Sequence, residues 1–184
     1  MRVQADIEEF ARLADITPCE GEALPWAGSG TAVGVELPAD YRAFVDAFGG
    51  GDLYGRLGVN TPWPLHDPSA GVTALRAMLD DAAATSSLLR ELRGSYPAAF
   101  PFAFYPEPGG LLAWGGGIGG ELCFWLTEAP DPDAWPVVVW DKADWRRYDM
   151  GMVALLIRAL TKADPFLSAL VAPEHGRPVW NPRG

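Results

Sequence analysis

This chain is poor in the residues that most often mark chemistry. Its 184 residues hold only two cysteines and two histidines. Cys19 and Cys123 cannot build a disulfide framework, and each reads as a small buried hydrophobe. Neither histidine stands at ligand spacing from a cysteine, so no zinc site is expected. Lys and Arg number 14 against 24 Asp and Glu, a net charge of −10. That shortage of cations argues against direct nucleic-acid binding, which needs basic side chains to displace counterions from phosphate. Long apolar runs are also missing. No stretch approaches the roughly 20 apolar residues that span a bilayer, and the start, Met1 to Asp6, lacks the apolar core of a signal peptide. The expectation is a cytoplasmic protein with no membrane partner. No phosphate loop of the GxxxxGK(S/T) form occurs, and no cofactor or metal is expected.

What the chain does have is tryptophan and glycine. Eight tryptophans are present. The phrase Gly109-Gly110-Leu111-Leu112-Ala113-Trp114-Gly115 is answered by Gly119-Gly120-Glu121-Leu122-Cys123-Phe124-Trp125. Together they read as two aromatic strands around a glycine turn. Gly115 to Gly120 also satisfies G-x-G-x-x-G, but that dinucleotide signature must open a helix. Glu121 to Thr127 reads as a strand, so the glycines are assigned to a hairpin, where they supply φ > 0 without steric cost. Neighbouring strand residues face opposite sides. Phe124 and Trp125 therefore cannot share a face, and some large aromatics are expected near the outer face or the rim. Exposed tryptophan is a favoured anchor of protein interfaces, although a sugar-stacking surface uses it too.

Helical periodicity marks 3–14, through Val3, Ile7, Phe10, Ala11 and Ala14. It marks 38–48 through Tyr41, Phe44, Val45 and Phe48, closed by Gly49-Gly50-Gly51. Between them, 15–36 is rich in Pro and Gly and is expected to hold one helical turn at most. Residues 71–93 read as one long helix or two, with Thr85-Ser86-Ser87 as the join. Strands are expected at Leu53–Val59 and near 100–105, 110–115, 121–127 and 136–140. Helices follow at 149–162 and 166–171. The class is α+β: a single domain over 1–172 with a mainly antiparallel sheet of about five or six strands and helices packed beside it. The tail, 173–184, is expected to be irregular.

Catalytic patterns are weak. His66-Asp67 and Glu174-His175 sit in proline-flanked loops with no nucleophile elbow nearby. Asp80-Asp81 point apart on a helix, and Asp131-Pro132-Asp133 is ordinary turn chemistry. Two acids brought together from distant segments would escape this reading.

Leu37-Pro38-Ala39-Asp40-Tyr41-Arg42-Ala43-Phe44-Val45, followed by Phe48-Gly49-Gly50-Gly51, resembles the L-P-x-D-Y-x-x-F helix of the SUKH superfamily. The likeness continues through Thr61-Pro62, the Gly109–Gly115 phrase, Gly120-Glu121-Leu122, Trp125 and Trp135-Pro136-Val137-Val138-Val139. It spans roughly residues 24 to 170. The family's short helix before the motif is here Ala27-Gly28-Ser29-Gly30, a poor helix former. The resemblance implies a non-enzymatic immunity protein, related to the yeast Smi/Knr cell-wall regulators, that binds and neutralises a polymorphic toxin domain, often a nuclease. A general regulatory scaffold and a glycan-binding protein are the alternatives. An acidic inhibitor suits a site built for phosphate. Glu107, Glu121, Asp131, Asp133, Asp141 and Asp144, with Trp125, are the expected contact residues of a protein that is a monomer or weak dimer.

Overall fold

The computed structural model describes residues 2–19, 24–62, 71–172 and 178–182. Among them, seven strands form one antiparallel sheet in the order β6-β5-β4-β3-β2-β1-β7. These are β1 (Gly51–Leu53), β2 (Leu57–Val59), β3 (Leu111–Gly117), β4 (Leu122–Leu126), β5 (Val137–Trp140), β6 (Trp145–Tyr148) and β7 (Trp180–Pro182). The helices are α1 (Arg2–Ala14), α2 (Trp26–Val33), α3 (Ala39–Phe48), α4 (Gly71–Thr85), α5 (Ser87–Ser95), α6 (Met152–Leu160) and α7 (Pro165–Leu170). The expected α+β class with an antiparallel sheet stands.

The sheet is buried on both sides. Residues paired directly across strands share a face. Trp125 pairs with Leu112 and Val137, while Phe124 pairs with Ala113 and Val138. On the first face the Tyr41 ring of α3 meets Trp125 edge-on, with centroids 4.9 Å apart. Phe10, Phe44, Phe48 and Trp180 extend this aromatic layer. On the second face the segment after α5 lays its phenylalanines on the sheet. Phe104 lies 6.3 Å from Phe124, and Phe102 lies 5.4 Å from Trp145. Phe124 and Trp125 are consequently both at 0% exposure. Each such side chain contributes on the order of 1.5–3 kcal/mol by leaving water. Of the tryptophans on the strands, Trp140 of β5 and Trp145 of the edge strand β6 alone reach the rim, half-buried and stacked 5.7 Å apart.

Several expectations are corrected. The aromatic segment at 100–105 is not a strand. It makes one bridge, Phe104 to Leu111, because Pro97, Pro101, Pro106 and Pro108 deny it the N–H groups of a ladder. Leu53–Val59 is a hairpin, not one strand: Tyr54 and Gly55 both take positive φ and reverse the chain. The region 15–36 holds a true helix, α2, despite its glycines. Trp26 anchors it: the indole Nε1 donates to Asp46 Oδ1 at 2.9 Å, and its ring packs on Tyr41. Gly34, at φ 77°, closes it. Tertiary packing here outweighs intrinsic propensity. The tail is not wholly irregular, since β7 pairs with β1 and buries Trp180. Thr85-Ser86-Ser87 is indeed a join, so 71–93 is two helices. The glycine hairpin stands as expected, with Gly120 at φ 91° closing the β3–β4 turn.

Candidate functional site

The start of β3, the end of β4 and the N-termini of α3 and α6 converge at one end of the sheet. The 3-10 turn Pro132–Ala134, between β4 and β5, knits them together. Asp131 accepts a hydrogen bond from the Asp133 N–H at 3.0 Å. Asp133 in turn accepts from the Ala39 N–H at 2.6 Å and so caps α3. One residue on, Asp40 Oδ2 accepts from the Val153 N–H at 3.0 Å and caps α6. Its other oxygen accepts from the Tyr41 N–H at 2.7 Å. Three carboxylates thus satisfy the orphan amides of three helical starts, where the helix dipole also favours negative charge.

Two clefts open on either side of this turn, and both are lined by Pro132 and Trp135. One, of about 320 Å³, carries Asp6, Asp40, Asp133 and Asp149 with Arg2. The other, of about 500 Å³, runs between Glu36, after α2, and the loop Tyr105–Gly109. Trp135 is held rigidly between them, its indole N–H donating to the Ala129 carbonyl at 2.7 Å. Burial pushes the Asp40 carboxyl above its ordinary value; the Val153 and Tyr41 amides pull the other way, and the Asp133 and Asp6 charges add to the rise. Burial, then the nearby Asp80 carboxylate, raises the Tyr105 hydroxyl. Glu107 is held low chiefly by its hydrogen bond from Arg93 at 2.9 Å, with Arg90 3.9 Å away. Glu36 and Asp6 form no ion pair among the described residues.

The expected contact residues fall at both ends of the sheet. Glu107, Asp131 and Asp133 belong to the clefted end. Glu121 and Asp141 meet at the opposite end, in a hollow of about 210 Å³ with Arg56 and Phe166. There Glu121 folds over Gly117 and Gly119, and Asp141 accepts the Asp144 and Ala143 amides within its own turn. That first amide chiefly holds the Asp141 carboxyl low. Asp144 is exposed on the same turn. Trp125 is a correction: at 0% exposure, packed on Tyr41 and Trp114, it presents nothing to a partner. Cys19 is a second correction, exposed where burial was expected, whereas Cys123 is buried. The pairs His66-Asp67 and Glu174-His175 lie outside the described residues.

Sequence reasoning missed Asp6, Glu36 and Asp40. Asp40 was in view inside the L-P-x-D-Y phrase, but its partner lies 113 residues away. Among the described residues no group of three or more acidic, His or Cys side chains is arranged to hold a metal ion. No helix among them is long and apolar enough to cross a membrane. Compared with protein-family models, characterised proteins and solved structures, the chain matches none.

Proposed function

We propose that this chain is a cytoplasmic, non-enzymatic immunity protein of the SUKH type, which neutralises a toxin domain by covering a basic surface on it. The single observation that carries this reading is the pair of acidic clefts flanking Pro132 and Trp135. They bring Asp6, Glu36 and Asp133 to one end of a chain whose net charge is −10, beside Asp149, which Arg147 holds at 2.8 Å. Clefts in which one sign of charge predominates, as acid does here over Arg2, focus the field and raise the rate of encounter with an oppositely charged partner. A nuclease or other phosphate-handling toxin presents such a surface, and an acidic inhibitor substitutes for its substrate. Rigid prolines around the clefts reduce what ordering would cost on binding.

One observation favours a second reading. A carboxyl raised by burial beside an aromatic wall, as Asp40 is beside Trp135, is a feature of glycan-processing sites. Both Asp40 oxygens are, however, engaged with backbone amides, and a general acid needs a free oxygen to reach its substrate. The immunity reading is therefore preferred. Its test is co-expression with the C-terminal domains of the open reading frames adjacent to this chain's own. Rescue of growth with a tight one-to-one complex is expected. No rescue and no complex would end the reading, and several weak partners would favour a regulatory scaffold.

A further inference from the structure

We propose that the larger cleft, between Glu36 and the Tyr105–Gly109 loop, is a receptor for a single arginine side chain of the partner. This inference rests on the protein-binding function proposed above and names the group that the acidic end takes in. The cleft's volume of about 500 Å³ is ample for a guanidinium and its stem. Tyr105 and Trp135 supply ring surface along it. Four prolines, Pro106, Pro108, Pro130 and Pro132, form much of the remaining wall. Proline fixes φ, so the wall is ordered before a ligand arrives.

Charge selects the occupant. Glu36 stands exposed at the cleft and forms no ion pair among the described residues. Glu107, across the same cleft, is already held by Arg93 at 2.9 Å and by Arg90 at 3.9 Å. The fold thus fills one carboxylate of the cleft with arginine from within and leaves the other open. An anion would meet the open Glu36 carboxylate, while beside Tyr105 Asp80 and Arg76 offset each other. A neutral sugar would stack on the rings and leave Glu36 uncompensated. A guanidinium satisfies both features, since it is planar, stacks on aromatic faces and matches a carboxylate with two parallel donors. The ammonium of lysine offers charge without the flat face.

The test is an amide NMR titration of the full chain with N-acetyl-arginine amide, against the lysine and citrulline amides at one ionic strength. Saturable shifts at Val35, Thr127 and the Trp135 indole are expected for arginine, weaker ones for lysine and none for citrulline. Glu36→Gln, an exposed and isosteric change, should weaken arginine binding about fivefold, the scale of one exposed charge pair. Asp144→Asn at the opposite end should change nothing. Equal binding of citrulline, shifts elsewhere only, or an unaltered Glu36→Gln titration would overturn the inference. If a toxin domain is captured while arginine amide leaves this cleft untouched, the inference fails and the immunity function stands. If arginine amide binds here and no toxin is neutralised, the receptor stands and the immunity function falls.

Discussion

Asp40, at the start of α3, caps α6 by accepting a hydrogen bond from the Val153 N–H at 3.0 Å. Gly151 makes this approach possible, because a Cβ there would collide with the Asp40 carboxylate. Asp40→Ala removes the cap and leaves a partly buried amide unpaired, at a cost of about 1–2 kcal/mol. Gly151→Ala forces the same carboxylate aside, with a loss of about 1–3 kcal/mol. Urea unfolding of both variants checks this; two midpoints equal to the parent's would refute it.

The Asp40 carboxyl titrates above the ordinary 3.8. A raised folded-state value means that the folded chain holds its proton more tightly than the unfolded chain does. The corresponding stabilisation is fully present below 3.8 and is lost as pH rises through the folded value. Asp40→Asn, which cannot ionise, should therefore gain ground on the parent as pH rises through that window. Unfolding series of both proteins from pH 3 to pH 7 test this; a stability difference, variant minus parent, that falls or stays flat as pH rises would contradict it. The Asp40 carboxyl carbon, followed by NMR, should show a midpoint above 3.8.

Thiol chemistry should separate the two cysteines. Cys19 is exposed, and Cys123 is buried with its thiol pushed up to about 12 by burial and then by Glu121. A thiol-specific reagent at pH 8 should modify Cys19 alone in the native protein and both after unfolding. Native modification of both at similar rates would show that the β4 core is open.

The fold was legible where one periodicity sufficed. Tyr41, Phe44, Val45 and Phe48 announced α3, and the alternation around Gly115–Gly120 announced the β3–β4 hairpin. Misreadings came from tertiary causes. Nothing local shows that Asp46 will hold Trp26 and stabilise a glycine-bearing helix. Nothing local shows that a proline-broken segment will lay Phe102 and Phe104 on the second face of the sheet. That second layer covers Phe124 as the α3 side covers Trp125, so both are core, and attention shifts from tryptophan to carboxylates. Of the seven expected contact residues, Glu107, Asp131 and Asp133 reached the clefted end. Asp131 and Asp133 are spent there on backbone amides. Asp6 and Glu36 join them from the segments before α3, which strand-centred reasoning had no reason to include.

Trp125 gives a sharp separation of stability from binding. Trp125→Ala should cost about 3–5 kcal/mol, the usual range for removing a buried large aromatic. Trp125→Phe, which still fills much of the space, should fold and bind its partner as tightly as the parent does. Weaker binding by a well-folded Trp125→Phe would restore this residue to the interface.

The most direct measurement is calorimetric titration of the partner domain captured by co-expression against two charge-reversed pairs. Asp6→Lys with Glu36→Lys alters the clefted end; Glu121→Lys with Asp144→Lys alters acids at the opposite end of the sheet. The first pair should weaken binding by about 100-fold or more, steeply so at low salt, and the second by less than about threefold. Equal losses, or a larger loss from the second pair, would contradict recognition through the acidic clefts.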